Sequence, residues 1–244
     1  MLGGLILNLL QGTRSLIFPA SCAGCGLPVE AGGCPLCPAC RRRLQPAPPP
    51  WCRICGRSLA GLGAGVDLCA GCRSGPKRSF DAAVAPFPYE GISKGLVAAL
   101  KYDRRLSAVP FMAQLLSEAV RQRLGPDPAD WVVPVPLHPT RERERTFNQA
   151  ERLAQGLARR LRLTCQPRLL SRYRPTRPQT ALGRRQRMRN VRGAFRLEAG
   201  FPIRAARLLL VDDVFTTGAT ADACAKLLKK AGAARVAAVA FAQG

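Results

Sequence analysis

Nine of the eleven cysteines fall between positions 22 and 72, and they repeat. CAGCG (22–26) is followed by LCPACR (36–41), and CRICG (52–56) by LCAGCR (68–73). Each half therefore reads C-x2-C-G, a spacer, then L-C-x2-C-R. Two such turns bring four thiolates to one tetrahedral Zn2+ at a Zn–S distance of ~2.3 Å, and the glycine after the first turn allows the positive φ that a metal knuckle often needs. The spacing predicts two structural zinc sites, Cys22, Cys25, Cys37 and Cys40 in one and Cys52, Cys55, Cys69 and Cys72 in the other. All ligand positions are then thiolate, which leaves none open for a catalytic water. A disulfide framework is the competing use of so many cysteines, but paired C-x2-C turns in a reducing compartment read as metal sites. Two ambiguities stay open. Cys34 allows CPLC (34–37) to replace CPAC (37–40) as the second turn, although the L-C-x2-C-R that the second half repeats favours Cys37 and Cys40, and an interleaved pairing of the turns satisfies the same spacing.

Such a module is too small to occupy 244 residues, so a larger domain must follow. The expected division is an amphipathic N-terminal helix over 1–20, a double zinc ribbon over 21–78 and an α/β domain over 79–244. Pro46, Pro48, Pro49 and Pro50 form a stiff link between the two ribbon halves. No run reaches the ~20 apolar residues of a membrane span, and MLGGLILNLL lacks the basic leader of a signal peptide, so a cytoplasmic protein is expected. Cys165 and Cys224 have no cysteine neighbours, and Cys224 shares a helical face with Leu227, Leu228 and Ala231, as a core residue would.

The formal charge is +23, and it is unevenly placed. Residues 151–204 hold fifteen basic and two acidic side chains, more than half of the excess. Two zinc ions on eight thiolates would lower the total only to about +19. Arginine outnumbers lysine 32 to 6, and arginine suits bidentate phosphate contacts. An anionic partner is implied.

Residues 208–211, LLLV, are a short apolar run of the kind that forms a central parallel strand. Asp212 and Asp213 follow, then the loop Thr216, Thr217, Gly218, Ala219 and Thr220, a helical stretch to Lys230 and the apolar run 236–241. A loop of hydroxyls and glycine at a helix N-terminus offers N–H groups and a positive dipole end to a phosphate. Carboxylates just before it accept hydrogen bonds from vicinal ribose hydroxyls. A ribose 5-phosphate group fits the pair. Neither a Walker A loop nor a G-x-G-x-x-G between strand and helix is present.

Residues 132–149 read as a strand that breaks into a proline-rich, basic loop before a helix beginning near Phe147. LLLVDDVFTTGAT (208–220) resembles the phosphoribosyl-pyrophosphate (PRPP) motif of type I phosphoribosyltransferases. With the cysteine module and the run VPVPLHPTRERERTFNQ (133–149), the chain is identified as a member of the ComF family, named for competence in DNA uptake. The run matches the family's P-V-P-L-H-P-x-R-x-x-x-R-G-F-N-Q at Pro134, Val135, Pro136, Leu137, His138, Pro139, Arg141, Arg145, Phe147, Asn148 and Gln149, and departs at Thr146, where the family usually has glycine. Arg172, Thr176, Gln179, Leu182, Arg187, Asn190, Ala194 and Phe195 match a second stretch, and Lys101 and Tyr102 match L-K-Y.

The resemblance implies a Rossmann-type parallel sheet with a flexible basic hood, behind two four-cysteine zinc ribbons. It implies PRPP, or another ribose 5-phosphate ligand, with Mg2+. The loop Thr216–Thr220 would take the 5′-phosphate, Asp212 and Asp213 the ribose, and Arg141 and Arg145 the pyrophosphate, with Asp212, Asp213 and Arg141 as the catalytic group. His138 is either a general acid–base or a loop residue, and Lys101 either a site residue or a helix-dipole partner. The acceptor is not legible. The competing class is a non-catalytic DNA-handling accessory protein, meeting single-stranded DNA or DNA-uptake proteins, with the ribbons docking a partner. Between 151 and 204 only Tyr173, Phe195 and Phe201 are aromatic, too sparse for a base-stacking groove.

Overall fold

A computed structural model of the chain describes residues 20–30, 32–103, 105–174, 191 and 193–244, the side chains of residues 141, 144 and 145 excepted. The helix expected over 1–20 lies outside these residues, apart from residue 20, as do Thr176, Gln179, Leu182, Arg187 and Asn190. The elements in chain order are α1 (Pro38–Arg43), α2 (Ala70–Arg73), β1 (Ala82–Val84), β2 (Phe87–Pro88), α3 (Gly91–Lys101), α4 (Ala108–Leu124), β3 (Trp131–Pro134), α5 (Pro139–Arg145), α6 (Gln149–Leu161), β4 (Thr164–Cys165), β5 (Leu170–Arg172), β6 (Phe195–Leu197), β7 (Arg207–Phe215), α7 (Ala219–Lys230) and β8 (Arg235–Gln243).

The architecture is α/β. A six-stranded sheet runs β1-β8-β7-β3-β4, with β2 also on β8, and every pairing in it is parallel. A separate antiparallel pair joins β5 to β6. The apolar runs of β7 and β8 are buried on both faces because alternate residues point to opposite sides. Leu208, Leu210, Val236, Ala238 and Ala240 enter one core, and Leu209, Val211, Ala237, Val239 and Phe241 the other. Helix α7 covers the first face through Cys224, Ala225 and Leu228. Helices α3, α4 and α6 cover the second through Leu96, Leu100, Met112, Leu116, Leu153 and Leu157. Each of these leucines stabilises the fold by roughly 1.5–3 kcal/mol on burial.

The ribbons are split between these faces. Cys22, Leu36 and Cys40 join the core under α3, α4 and α6, whereas Cys52, Cys55 and Leu59 join the core on the α7 side. The proline-rich link crosses the β1–β2 edge, where the Ala47 N–H donates to the Pro86 carbonyl (2.7 Å) and the Trp51 indole donates to the Ala47 carbonyl (2.8 Å). Two glycines permit the docking. A Cβ on Gly95 of α3 would stand 1.9 Å from the Ala23 carbonyl oxygen, and one on Gly56 (φ +69°) would stand 2.2 Å from that of Ala83 in β1. Only hydrogen at those positions lets backbone meet backbone.

Three boundaries differ from the sequence expectation. Strand β7 does not stop at Val211: it stays paired with β8 through Phe215, so both aspartates belong to its carboxyl end. Residues 139–145, expected as loop, are helix α5. Pro139 sits in its first turn, and His138 is its N-cap, the ring Nδ1 accepting from the Thr140 N–H (3.3 Å). Helix α6 begins at Gln149 rather than near Phe147 because buried Asn148 caps it. Its side chain accepts from the Ala150 N–H (3.0 Å) and donates to the Val135 carbonyl (3.0 Å).

Candidate functional site

Two zinc-ribbon sites lie in the N-terminal region. The sulfurs of Cys22, Cys25, Cys37 and Cys40 lie within 4.8 Å of one another, and so do those of Cys52, Cys55, Cys69 and Cys72. Cys34 belongs to neither group. A regular tetrahedron of sulfurs around zinc, with ~2.3 Å bonds, has S–S edges of ~3.8 Å, and Cys25–Cys37 measures 3.8 Å and Cys55–Cys69 3.5 Å. The donor set and its dimensions fit Zn2+, and the pairing runs within each half.

Backbone N–H groups prepare the thiolates. Gly24 and Cys37 donate to Cys22 Sγ at 3.4 and 3.3 Å. Burial alone would raise the Cys22 pKa, but these donors and the Cys25 N–H outweigh it and bring it down to about 6. Burial and the neighbouring sulfurs push Cys40 up to about 12. Without a cation the four sulfurs cannot all ionise together, and a divalent metal resolves that repulsion. Gly26 and Gly56, after the first turn of each ribbon, have φ of +78° and +69°.

The second candidate site is the carboxyl end of β7. Asp213 Oδ2 pairs with Lys101 Nζ at the end of α3 (2.9 Å), both side chains being largely buried. The Asp213 N–H donates to Asp212 Oδ1 (2.8 Å). Burial and the adjacent Asp213 charge raise Asp212 to about 7, against the pull of its backbone bond and of Lys101 and Arg172. Burial lowers Lys101, but Asp213, then Asp212 and Tyr89, more than offset it and keep the ammonium charged. A carboxylate pair held by Lys101 and acted on by Arg172 is suited to polar hydroxyls or a metal-bound ligand.

From there the chain turns through Thr216–Gly218 into α7. Gly218 is the N-cap with φ +73°, and a Cβ on it would stand 2.7 Å from the Phe215 ring, itself edge-on to Phe80 at 5.7 Å. The left-handed turn and the close ring leave glycine as the residue that fits. Gly218 has no side chain with which to cap α7, and Thr217 Oγ1 accepts from the Ala219 N–H only at 3.4 Å. The first turn of α7 thus joins threonine hydroxyls at the same sheet edge as the aspartates, the arrangement that serves anions in α/β sheets.

The double zinc ribbon domain family matches residues 14–73. The chain is 33% identical to the DNA utilization protein YhgH of Salmonella typhi over 226 residues, 91% of this chain and 96% of that one. It is 33% identical to the DNA utilization protein YhgH of Escherichia coli K12 over 218 residues (88% and 80%), and 31% identical to Competence protein F of Haemophilus influenzae over 203 residues (81% and 85%). The chain belongs to the ComF family.

The family pattern now acquires a physical basis. Thr146, at the position where the family pattern usually has glycine, ends α5 in the left-handed region (φ 67°, ψ −13°), which a β-branched residue adopts at a cost. Asn148 of the ComF F-N-Q is the buried N-cap of α6. Arg172 is buried on β5 with its guanidinium 5.3 Å from the Phe195 ring, near enough to Asp212 to pull its pKa down. Arg141 and Arg145 lie on α5, which follows the strand next to β7, but their side chains lie outside the described residues. Lys101 is the partner that sequence reasoning could not choose: only the L-K-Y match hinted at more than a dipole role, and its pairing with Asp213 spans two distant elements. Among the described residues no helix is long and apolar enough to cross a membrane.

Proposed function

We propose that the chain binds PRPP at the carboxyl end of β7 and transfers its phosphoribosyl group. The observation that carries this is the joining of two carboxylates to an N-cap glycine loop: Asp212 and Asp213 lie toward the carboxyl end of β7, and Thr216–Gly218 lead into α7, whose first turn holds Ala219 and Thr220. The 5′-phosphate rests on the loop N–H groups and threonine hydroxyls, and the ribose 2′- and 3′-hydroxyls donate to the aspartates. Lys101 holds Asp213 oriented toward the sugar. Arg141 and Arg145 of α5 meet the pyrophosphate, and Arg172 adds positive charge from the β5–β6 side. Mg2+ bound with PRPP would neutralise pyrophosphate oxygens. The acceptor forms a bond to C1′ as the C1′–O bond to pyrophosphate breaks; pyrophosphate leaves with the electron pair, and the acceptor loses its proton.

Calorimetric titration with PRPP and Mg2+ tests this on the wild type and on the Asp212→Asn/Asp213→Asn double variant. Binding in the wild type and its loss by about a hundredfold or more in the variant is expected. No heat in the wild type overturns the reading.

A second reading has its own observation, the relatives' names, which tie them to DNA utilization and competence. A DNA-handling protein of the cytoplasm would use the fifteen basic residues of 151–204 as phosphate contacts and the ribose 5-phosphate site as a regulatory switch. Single-stranded DNA binding that weakens steeply with salt supports it, and salt-independent binding refutes it. The two readings are compatible in one protein.

A further inference from the structure

Residues of the second ribbon and the phosphate loop line a half-open cleft of about 720 Å³. Thr216 and Thr217 form one end of it, Leu62 and Tyr89 contribute apolar wall, and Arg57 and Arg78 also line it. A volume in the ~300–1,000 Å³ range is that of a small-molecule site and far exceeds what a phosphate group fills. Leu62, on the ribbon spacer, is 54% exposed, and neither arginine lies in an ion pair with a carboxylate among the described residues. Apolar wall beside two such cations, opening from a phosphate loop, is complementary to a base and a further negative charge carried beyond that phosphate.

We propose that this cavity is a nucleoside subsite, taking a second nucleoside joined through phosphate to the ribose held at Asp212 and Asp213. The inference rests on the ribose 5-phosphate reading above. The loop keeps the 5′-phosphate, Arg57 and Arg78 meet charge beyond it, and the base lies against Leu62 and Tyr89. Because the cavity is reached through the phosphate end of the ligand, it is distinct from any acceptor site at C1′. The competing role for the arginines is to balance the tetrathiolate, since Cys55, Cys69 and Cys72 line the same cavity.

The test is calorimetry of the full, zinc-loaded chain with three probes: ribose 5-phosphate, ADP-ribose, and the phosphorylated dinucleotide 5′-phosphoadenylyl-(3′→5′)-adenosine, whose terminal phosphate supplies the charge beyond the bridging one. At least one linked probe is expected to bind about tenfold or more tighter than ribose 5-phosphate. Preference for ADP-ribose marks free dinucleotides as the source, and preference for the phosphorylated dinucleotide marks a nucleic-acid strand. Arg57→Glu/Arg78→Glu should abolish the gain while ribose 5-phosphate binds as before. Leu62→Ala, away from the zinc ligands, should reduce the gain with zinc content unchanged. Equal affinities for all three probes overturn the subsite and leave the ribose 5-phosphate reading standing. Failure of ribose 5-phosphate to bind overturns both. An arginine variant that loses zinc but keeps the linked-probe gain assigns the arginines to the tetrathiolate and overturns their place here.

Discussion

The two ribbons share one sequence pattern and sit in different surroundings. The first packs on the helical face, where the Ala23 carbonyl meets Gly95 of α3 and the Arg105 guanidinium donates to the Ser21 carbonyl and to its hydroxyl (3.0 Å). The second packs on the β1 edge, where Gly56 meets Ala83, Arg123 stacks on Trp51 at 4.1 Å, and the Gln243 side chain at the end of β8 donates to the Cys55 carbonyl (3.3 Å). Only the second contributes wall to the cavity beside Thr216 and Thr217. A repeated module acquires separate duties when its copies meet different faces of one sheet. The first ribbon packs against the helical face, and the second packs beside the carboxyl end of β7.

The sharpest way to break this contrast is to unload one zinc at a time. Cys25→Ser and Cys55→Ser should each leave about one zinc per chain, because a structural site contributes on the order of 10 kcal/mol to its own folding. Only Cys55→Ser should weaken phosphate-ligand binding by about tenfold or more, and equal losses in the two variants would erase the distinction. Next come the docking glycines. Gly56→Ala and Gly95→Ala both force a Cβ onto a backbone carbonyl, at roughly 2–4 kcal/mol. Gly56→Ala should cost more, since it also imposes a left-handed alanine, whereas Gly95→Ala regains about 1 kcal/mol of helix propensity. Thermal unfolding ranks them.

A site residue remote from both docking glycines gives the reference effect. Asp212 titrates at about 7 in the fold, against ~3.9 when unfolded. Between those values the folded chain holds a proton that the unfolded chain lacks, so this group's contribution to stability is full below the unfolded pKa and is lost as pH rises through the folded one. Asp212→Asn should therefore be more stable than wild type by on the order of 4 kcal/mol near pH 8, with the difference vanishing below about pH 4. Denaturant melts at the two pH values decide it. The smallest effect is expected from Thr146→Gly, which relieves the left-handed threonine and should stabilise by ~0.5–1 kcal/mol while leaving both zinc sites loaded.

What was legible in the sequence was what repeats or alternates locally. The L-C-x2-C-R repeat picked out Cys37 and Cys40 over Cys34, and the structure groups those sulfurs within each half. The run LLLV marked the central strand because burial on both faces excludes polar side chains from it. What depended on long-range packing was hidden. Helix α5 follows a proline-rich run that reads as loop, and its cap is a histidine, an unusual capping residue whose ring nitrogen happens to face the Thr140 N–H. The Lys101–Asp213 pair and the placing of the ribbons on opposite faces arise from contacts between elements far apart in the chain, and no local period encodes them. The proposed roles of Arg141 and Arg145 still rest on the family match.

Strand β1 finds its neighbour in β8, the last strand in chain order among the described residues. During synthesis the ribbons leave the ribosome long before the strand that completes the edge beneath them. Their cysteines can therefore meet zinc while the faces they will pack against are still unformed. The metal sites would then be early units of assembly, and their attachment to the sheet a late step that waits on β8.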